Sequence, residues 1–133
     1  MIIDQTLLDK LTAEAKTSAR LRMNCDLRNS EADGSQRMLN AIEPGSVVPV
    51  HRHGLTSETV VCLRGRLVEE YYSDAGECVE SIELVAGGPV VALNIPAGQW
   101  HTVRALESGT VILEMKDGRY EGMGEVRKNE RHG

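Results

Sequence analysis

Aromatic residues are nearly absent from this chain of 133 residues, which has no phenylalanine, one tryptophan and three tyrosines. Its core must therefore be built from valine, leucine, isoleucine and methionine. Long apolar runs are missing as well. None approaches the roughly 20 residues that a membrane-spanning helix needs, so we expect no membrane partner. The N-terminus carries Asp4 and no basic-then-apolar leader, which argues against a signal peptide.

Basic charge and cysteine are also scarce. The 15 Lys and Arg residues against 20 Asp and Glu residues give a formal net charge of −5. Because nucleic-acid binding needs a concentrated basic face, we expect no nucleic-acid partner. Cys25, Cys62 and Cys78 are widely spaced and form no C-x-x-C pair, which favours reduced thiols and a cytoplasmic location. Cys62 lies in an apolar run, so we expect its side chain to be buried.

Helical spacing is confined to the N-terminal part of the chain. Leu7, Leu8 and Leu11 recur along one face and predict a helix over residues 4–18, which Asp4 or Thr6 can cap. The helix alternatively binds a partner, but packing on its own domain is the simpler expectation.

From residue 37 onward, short β-branched runs alternate with turn signals, which is typical of an antiparallel barrel or jelly roll. The polar residues 25–36 are predicted to form a loop. At this length the chain fits one domain, with an N-terminal arm and helix (1–20), a barrel (37–120) and a C-terminal tail (121–133). The predicted strands are 37–43, 46–53, 58–64, 66–72, 77–85, 90–95, 101–106 and 110–116.

Three histidines and one carboxylate form the most informative pattern. His51 and His53 alternate along a predicted strand and therefore share a face. Glu58 follows after a short loop, and His101 follows a Pro-Ala-Gly turn on a separate hairpin. Imidazoles and a carboxylate suit one divalent transition metal, and Fe, Mn, Ni and Zn all remain open. In the alternative interpretation, the histidines face solvent and Glu58 is a surface acid, while His132 in the charged tail is inert.

These spacings resemble the cupin superfamily. The first cupin motif, G-x5-H-x-H-x4-E-x6-G, is matched at every position from Gly45 to Gly65, and P-x-G-x-x-H of the second motif is matched from Pro96 to His101. The second motif departs from the family at Val90, where glycine is expected, and at Ala105, where asparagine is usual. The resemblance implies a cupin-type double-stranded β-helix with a metal at His51, His53, Glu58 and His101.

A closer resemblance extends over most of the chain. The opening Leu7-Leu8-Asp9, the segment from Arg37 to Gly45, Trp100-His101-Thr102 and the segment from Glu114 to Tyr120 are similar to WbuC-type cupin-fold metalloproteins, which are often encoded among surface-polysaccharide genes. This resemblance implies a role in surface-polysaccharide metabolism. The chain lacks the family's N-x-H after the first helix, where Asn24 leads into Cys25, so we expect its ligand to differ from that of its relatives if those residues touch substrate.

Six further residues are candidates for substrate binding. An arginine fork suits a carboxylate or phosphate, such as a sugar phosphate or nucleotide sugar offers. In the alternative interpretation each charged candidate lies at the rim in water. Arg37 and Asn40 differ in parity, so only one of them can face inward on a regular strand, and Glu114, which alternates with apolar residues, is predicted to face outward. The candidates are Arg37, Asn40, Arg64, Trp100, Lys116 and Tyr120.

Three functions are compatible with this pattern. The first is a metalloenzyme that isomerises or epimerises a small polar molecule, although the residues themselves name no base beyond the metal ligands. The second is an Fe(II)-dependent dioxygenase, and the third is a non-catalytic module that binds a metal or sugar. A purely structural zinc is disfavoured because no cysteine accompanies the ligands. We also expect a homodimer, in which the arm Met1–Ile3 covers an edge strand of the partner.

Overall fold

One helix and ten strands form the part of the chain that the computed structural model describes, residues 1–118 and 124–127. The helix and the first strands follow each other closely, and tight turns join most of the later strands. The elements are α1 (Gln5–Thr17), β1 (Arg22–Asp26), β2 (Ser35–Ile42), β3 (His51–Arg52), β4 (Glu58–Arg64), β5 (Arg66–Tyr72), β6 (Cys78–Val85), β7 (Ala92–Ile95), β8 (Trp100–Ala105), β9 (Thr110–Asp117) and β10 (Glu125–Val126).

Two five-stranded antiparallel sheets face each other. The first has the order β1-β2-β9-β4-β7, and the second has the order β10-β3-β8-β5-β6. The main core lies between them and contains only aliphatic and sulfur side chains among its fully buried members, such as Ile42, Leu67, Leu84 and Ile112. This arrangement confirms the predicted cupin-type jelly roll. Cys62 belongs to the same core, as expected from its apolar run.

Helix α1 covers the outer face of the first sheet. Its N-cap is Asp4, whose carboxylate accepts a hydrogen bond from the Leu7 amide at 3.0 Å. Leu8 and Leu11 pack on Leu39 of β2 and its neighbours in a second apolar cluster. The first sheet therefore buries apolar residues on both faces, one toward the helix and one toward the second sheet. The predicted helix is confirmed with its ends displaced by one residue.

The prediction of a loop over residues 25–36 is wrong at both ends, since β1 extends to Asp26 and β2 begins at Ser35. Strand β1 pairs antiparallel with β2, from Arg22 opposite Ile42 to Asp26 opposite Met38. Its sequence, R-M-N-C-D, has no β-branched residue, so the strand is held by the main-chain ladder and by contacts of Met23 and Cys25 with the helix-side cluster.

The predicted strand 46–53 is reduced to the two residues of β3. Residues 46–50 stay outside the ladder and are held by other bonds: Arg22 donates to the carbonyl of Val47 at 3.0 Å and Thr102 donates to the carbonyl of Val48. The C-terminal tail also contains structure, because β10 pairs with β3. No helix within the described ranges has the length and apolar character that a membrane crossing requires.

Candidate metal centre

The fold brings the three histidines and Glu58 to one place between the two sheets. His51 on β3 lies directly opposite His101 on β8 in the antiparallel ladder, with ring centroids 4.3 Å apart. His53 follows β3, and its ring centroid is 5.5 Å from that of His51. Glu58 is the first residue of β4 on the facing sheet, and its Oε1 lies 3.4 Å from Nε2 of His101 and 3.9 Å from Nε2 of His53.

Main-chain carbonyls orient two of the imidazoles. Nδ1 of His51 lies 2.9 Å from the carbonyl oxygen of Pro49, and Nδ1 of His101 lies 2.9 Å from that of Gln99. A carbonyl can only accept, so each Nδ1 carries a proton, and in the neutral ring each Nε2 is left with its lone pair. This carbonyl-fixed tautomer is the arrangement that metal-binding histidines use.

The protonation states suit a cation. Burial and the nearby His101 together lower the pKa of His51 to about 4, so His51 is neutral at neutral pH. Burial alone would raise the pKa of Glu58, but contacts with His101 and Glu114 outweigh it and hold the pKa below its usual range. Metal binding requires neutral imidazoles and an ionised carboxylate, and His51 and Glu58 are in those states.

Glu58 also carries an unsatisfied oxygen. Its side chain is 4% exposed, and Oε1 has no aligned hydrogen-bond donor. A buried carboxylate oxygen is normally bonded, so this atom is free to coordinate a cation. The residues therefore fit a divalent transition metal by donor type, tautomer and charge. Among residues 1–118 and 124–127, no group of three or more His, Cys, Asp or Glu side chains is arranged so that it could hold a metal ion as it stands.

Next to these residues is a polar cavity of about 90 Å³. Arg20 and Asn24 line it and are both exposed, so the cavity opens on the side of β1. The strands β1 and β3 are not bonded to each other, which leaves the gap between the sheets open there. The volume is below the roughly 300–1,000 Å³ of sites that enclose drug-sized ligands, so only a small molecule fits inside.

Two further carboxyl groups, the buried Glu69 and the half-buried Glu114, also line this cavity, although the sequence did not assign them to the site. Glu69 on β5 is 2% exposed, and burial raises its pKa well above the usual value. Burial and the charge of Glu58 likewise raise the pKa of Glu114, which accepts a hydrogen bond from Nδ2 of Asn40 at 3.2 Å. Both groups are therefore neutral acids, and Glu114 in this form is a hydrogen-bond donor to ionised Glu58.

The predicted outward orientation of Glu114 is wrong. The prediction took the apolar residues Val111 and Leu113 as the interior face of β9, but they contact the helix-side cluster instead. Ile112 and Glu114 occupy the other face, which is the one that faces the second sheet. A sheet covered by a helix has two apolar faces, so alternation alone did not identify the interior. The apolar residue Ile112, two positions before Glu114 on the same face, could have indicated that this face points to the interior.

Of the six candidate substrate residues, Asn40 lines the cavity and Arg37 does not. Arg37 pairs with Asp33 at 2.6 Å on the outside, as the parity argument allowed for one of the two. Lys116 lies at the rim, where it lines a surface depression together with His53. Tyr120 lies outside the described residues.

Arg64 and Trp100 do not line the cavity, and each has a different structural role. Arg64 binds the helix to the barrel, donating to Thr12 at 2.9 Å, to Asp9 at 2.7 Å and to the carbonyl of Gly109 at 2.8 Å. Trp100 points to the opposite face of β8 from His101, where Arg52 and Arg127 both stack on its ring. Neither residue forms a wall or a lid of the cavity.

Comparison with solved structures shows the same cupin-type fold. KdgF from Halomonas sp. is similar, with a TM-score of 0.60 and 16% identity over 75% of this chain and 81% of that one. The cupin domain of Cnp3 from Schizosaccharomyces pombe has a TM-score of 0.56 and 12% identity over 74% and 65%. CapF, a capsular polysaccharide assembling protein from Staphylococcus aureus, has a TM-score of 0.63 and 20% identity over 83% of this chain and 33% of that one.

A comparison with models of protein families identifies the family of this chain. The model of a family described as a domain of unknown function, DUF6016, matches residues 3–84, and the chain belongs to that family. The matched range includes the helix, β1 to β5 and most of β6, and three of the four clustered residues. No curated protein matches the chain significantly.

Proposed function

We propose that residues 1–133 form a single cupin domain that holds one divalent transition metal at His51, His53, Glu58 and His101, and that acts as a metalloenzyme on a small polar molecule. The observation that carries this proposal is the convergence of three imidazoles on Glu58, whose buried Oε1 has no partner. Iron, manganese, nickel and zinc all accept this set of nitrogen and oxygen donors.

Proton-transfer chemistry is favoured over dioxygen chemistry by the two acids in the cavity. A metal bound at this site would polarise a substrate carbonyl or hydroxyl group. Isomerisation or epimerisation needs, in addition, a group that moves a proton. Oε1 of Glu69 faces the cavity without a hydrogen-bond partner, so this carboxyl group can exchange a proton with a bound molecule. Glu114 holds Glu58 through their shared hydrogen bond and keeps it ionised.

The physiological role that we propose is sugar-related. The WbuC-type resemblance along the chain and the shared fold with CapF, a capsular polysaccharide assembling protein, both support a place in surface-polysaccharide metabolism. The cavity volume restricts what can be enclosed to a small molecule or one end of a larger one. A nucleotide sugar would keep its nucleotide outside.

The metal content of untagged protein tests the proposal. Inductively coupled plasma mass spectrometry should find close to one transition metal per chain, and the His51→Ala/His53→Ala variant should lose most of it while keeping its circular dichroism spectrum. The His132→Ala variant removes a histidine outside both motifs and serves as the matched control, with full metal content. Retention of the metal by the double variant would show that the ion is bound elsewhere.

Oxygen consumption separates the chemistries. An isomerase or epimerase should consume no dioxygen when metal-loaded protein is supplied with candidate hydroxy-carbonyl compounds, whereas a dioxygenase should consume it only with iron. Tight binding of such a compound without any conversion would instead favour the non-catalytic module.

A further inference from the structure

The cavity contains more unsatisfied acceptors than the metal proposal uses. In the described chain, five buried side-chain nitrogen or oxygen atoms have no hydrogen-bond partner, and four of them are oxygens of residues that line this cavity. Buried polar atoms are bonded in the great majority of cases, so four in one cavity indicate a common partner. The four are Oε1 of Gln36, Oδ1 of Asn40, Oε1 of Glu58 and Oε1 of Glu69.

These atoms call for a partner that donates hydrogen bonds. The amide of Asn40 is oriented by its Nδ2, which donates to Glu114, so Oδ1 is the atom left to accept from a ligand. Gln36 on the same strand is 5% exposed and shares that interior face. Hydroxyl groups of a bound molecule are the donors that suit several neutral acceptors at once.

A positive charge stands at the opening of the same cavity. Arg20 lines it and is exposed, and no side chain in residues 1–118 and 124–127 pairs with its guanidinium group. Every other arginine in those ranges donates to a carboxylate or a main-chain carbonyl. A guanidinium group left unpaired at the mouth of a polar cavity is suited to a carboxylate of the ligand.

We propose that the ligand of this cavity is a small hydroxy acid of three or four carbon atoms, with a hydroxyl group on Asn40 and its carboxylate on Arg20. The proposal rests on the proposed function, since it names the substrate class of that same site. The cavity of about 90 Å³ sets the size of the molecule. The hydroxyl groups and the carboxylate are both required, because the acceptors and Arg20 lie along one cavity.

Three probes of similar size test the two requirements separately. Isothermal titration calorimetry is carried out on the purified protein, with its metal content measured in the same samples, using glycerate, glycerol, which lacks the carboxylate, and propionate, which lacks the hydroxyl groups. Glycerate should bind at least tenfold more tightly than either of the others. Equal affinity for glycerate and propionate would overturn the role of the acceptors, and equal affinity for glycerate and glycerol would overturn that of Arg20.

Variants assign the two ends of the ligand. Arg20→Gln should weaken glycerate binding about tenfold and leave glycerol binding unchanged. The matched control is Arg104→Gln, which removes an arginine paired with Glu70 on another strand and should change neither. Asn40→Ser should weaken the binding of both glycerate and glycerol. Circular dichroism should show that this variant is folded.

The metal content of the same samples keeps this proposal separate from the preceding one. If the parent protein holds no metal but still prefers glycerate, the metal proposal is wrong and the ligand class stands. If the metal is present and the three probes bind equally, the ligand class is wrong and the metal proposal stands.

Discussion

Gly65, the last residue of the first cupin motif, has a backbone role and no part in the site. It forms the turn between β4 and β5 with φ of +84°, a conformation that residues with a side chain rarely adopt. A Cβ at this position would also lie 2.8 Å from the Cα of Thr110 on β9. The motif therefore combines three side chains of the candidate metal centre with glycines that the fold requires.

Replacing Gly65 by alanine should destabilise the fold strongly. The left-handed conformation alone costs about 1–3 kcal/mol, and the added Cβ would also clash with Thr110, including its Cα, which cannot rotate away. Gly87→Ala is the matched control, because it has φ of +72° with no atom within 4 Å of the added Cβ. Urea unfolding should show the larger loss for Gly65→Ala, and equal losses would mean that the approach of β9 does not constrain this turn.

At the scale of elements, the C-terminal strand β10 is attached beside the candidate metal centre. It pairs with β3, and Glu125 forms an ion pair with Arg52 at 3.0 Å. A Cβ on Gly124 would lie 2.8 Å from Nδ1 of His53, so the chain passes directly against that ring. Arg127 donates to the carbonyl of Ser73 at 2.7 Å and stacks on Trp100. The strand therefore supports the histidine that is least buried.

Trp100 is the only tryptophan in the chain, so its fluorescence reports on this attachment. Arg127→Ala should uncover one face of the indole ring, shift its emission to longer wavelength and lower the free energy of unfolding by about 1–2 kcal/mol through the lost stacking and hydrogen bonds. Arg104→Ala removes a charge from the same strand as Trp100 and should leave the emission unchanged. An unshifted spectrum for Arg127→Ala would show that β10 does not cover Trp100.

At the scale of the whole molecule, apolar surface remains at the N-terminus and at the sheet edges. Ile2 is 80% exposed, and Val79 on the edge strand β6 is 63% exposed. An edge strand presents unpaired main-chain groups that a second chain can bind. These features are consistent with the expected homodimer, in which the arm Met1–Ile3 binds an edge strand of the partner.

Sedimentation velocity tests the dimer. The parent protein should sediment as a dimer at micromolar concentration, and deletion of residues 1–3 should give a monomer, since the arm supplies the contact. Leu55→Ser removes an equally exposed apolar side chain from a loop and should leave the dimer intact. A parent protein that is monomeric at these concentrations would rule out the arm as a stable contact.

Periodicity and spacing determined much of the architecture. The helix and most strands followed from short-range patterns, because side chains at helical or alternating spacing must share a face wherever the element lies. The same rule placed His51 on one face with His53, and the cupin spacings indicated Glu58 and His101 as their partners. The polar strand β1 and the short β10 could not be predicted, since only their partners in the sheet hold them in place.

The alternation of residues along a strand shows which side chains share a face, but it does not show which face points to the interior. In this protein only the tertiary structure determines the interior face. Helix α1 covers one side of β9, so Leu113 turns to the helix and Glu114 to the cavity. Tertiary packing also places Arg64 against the helix and Trp100 against Arg127, which follows β10. It leaves Arg20 at the opening of the cavity. The chain's own residues specified a set of metal-binding groups, while the enclosed volume, the two acids and the unpaired charge around them arose only when the two sheets came together.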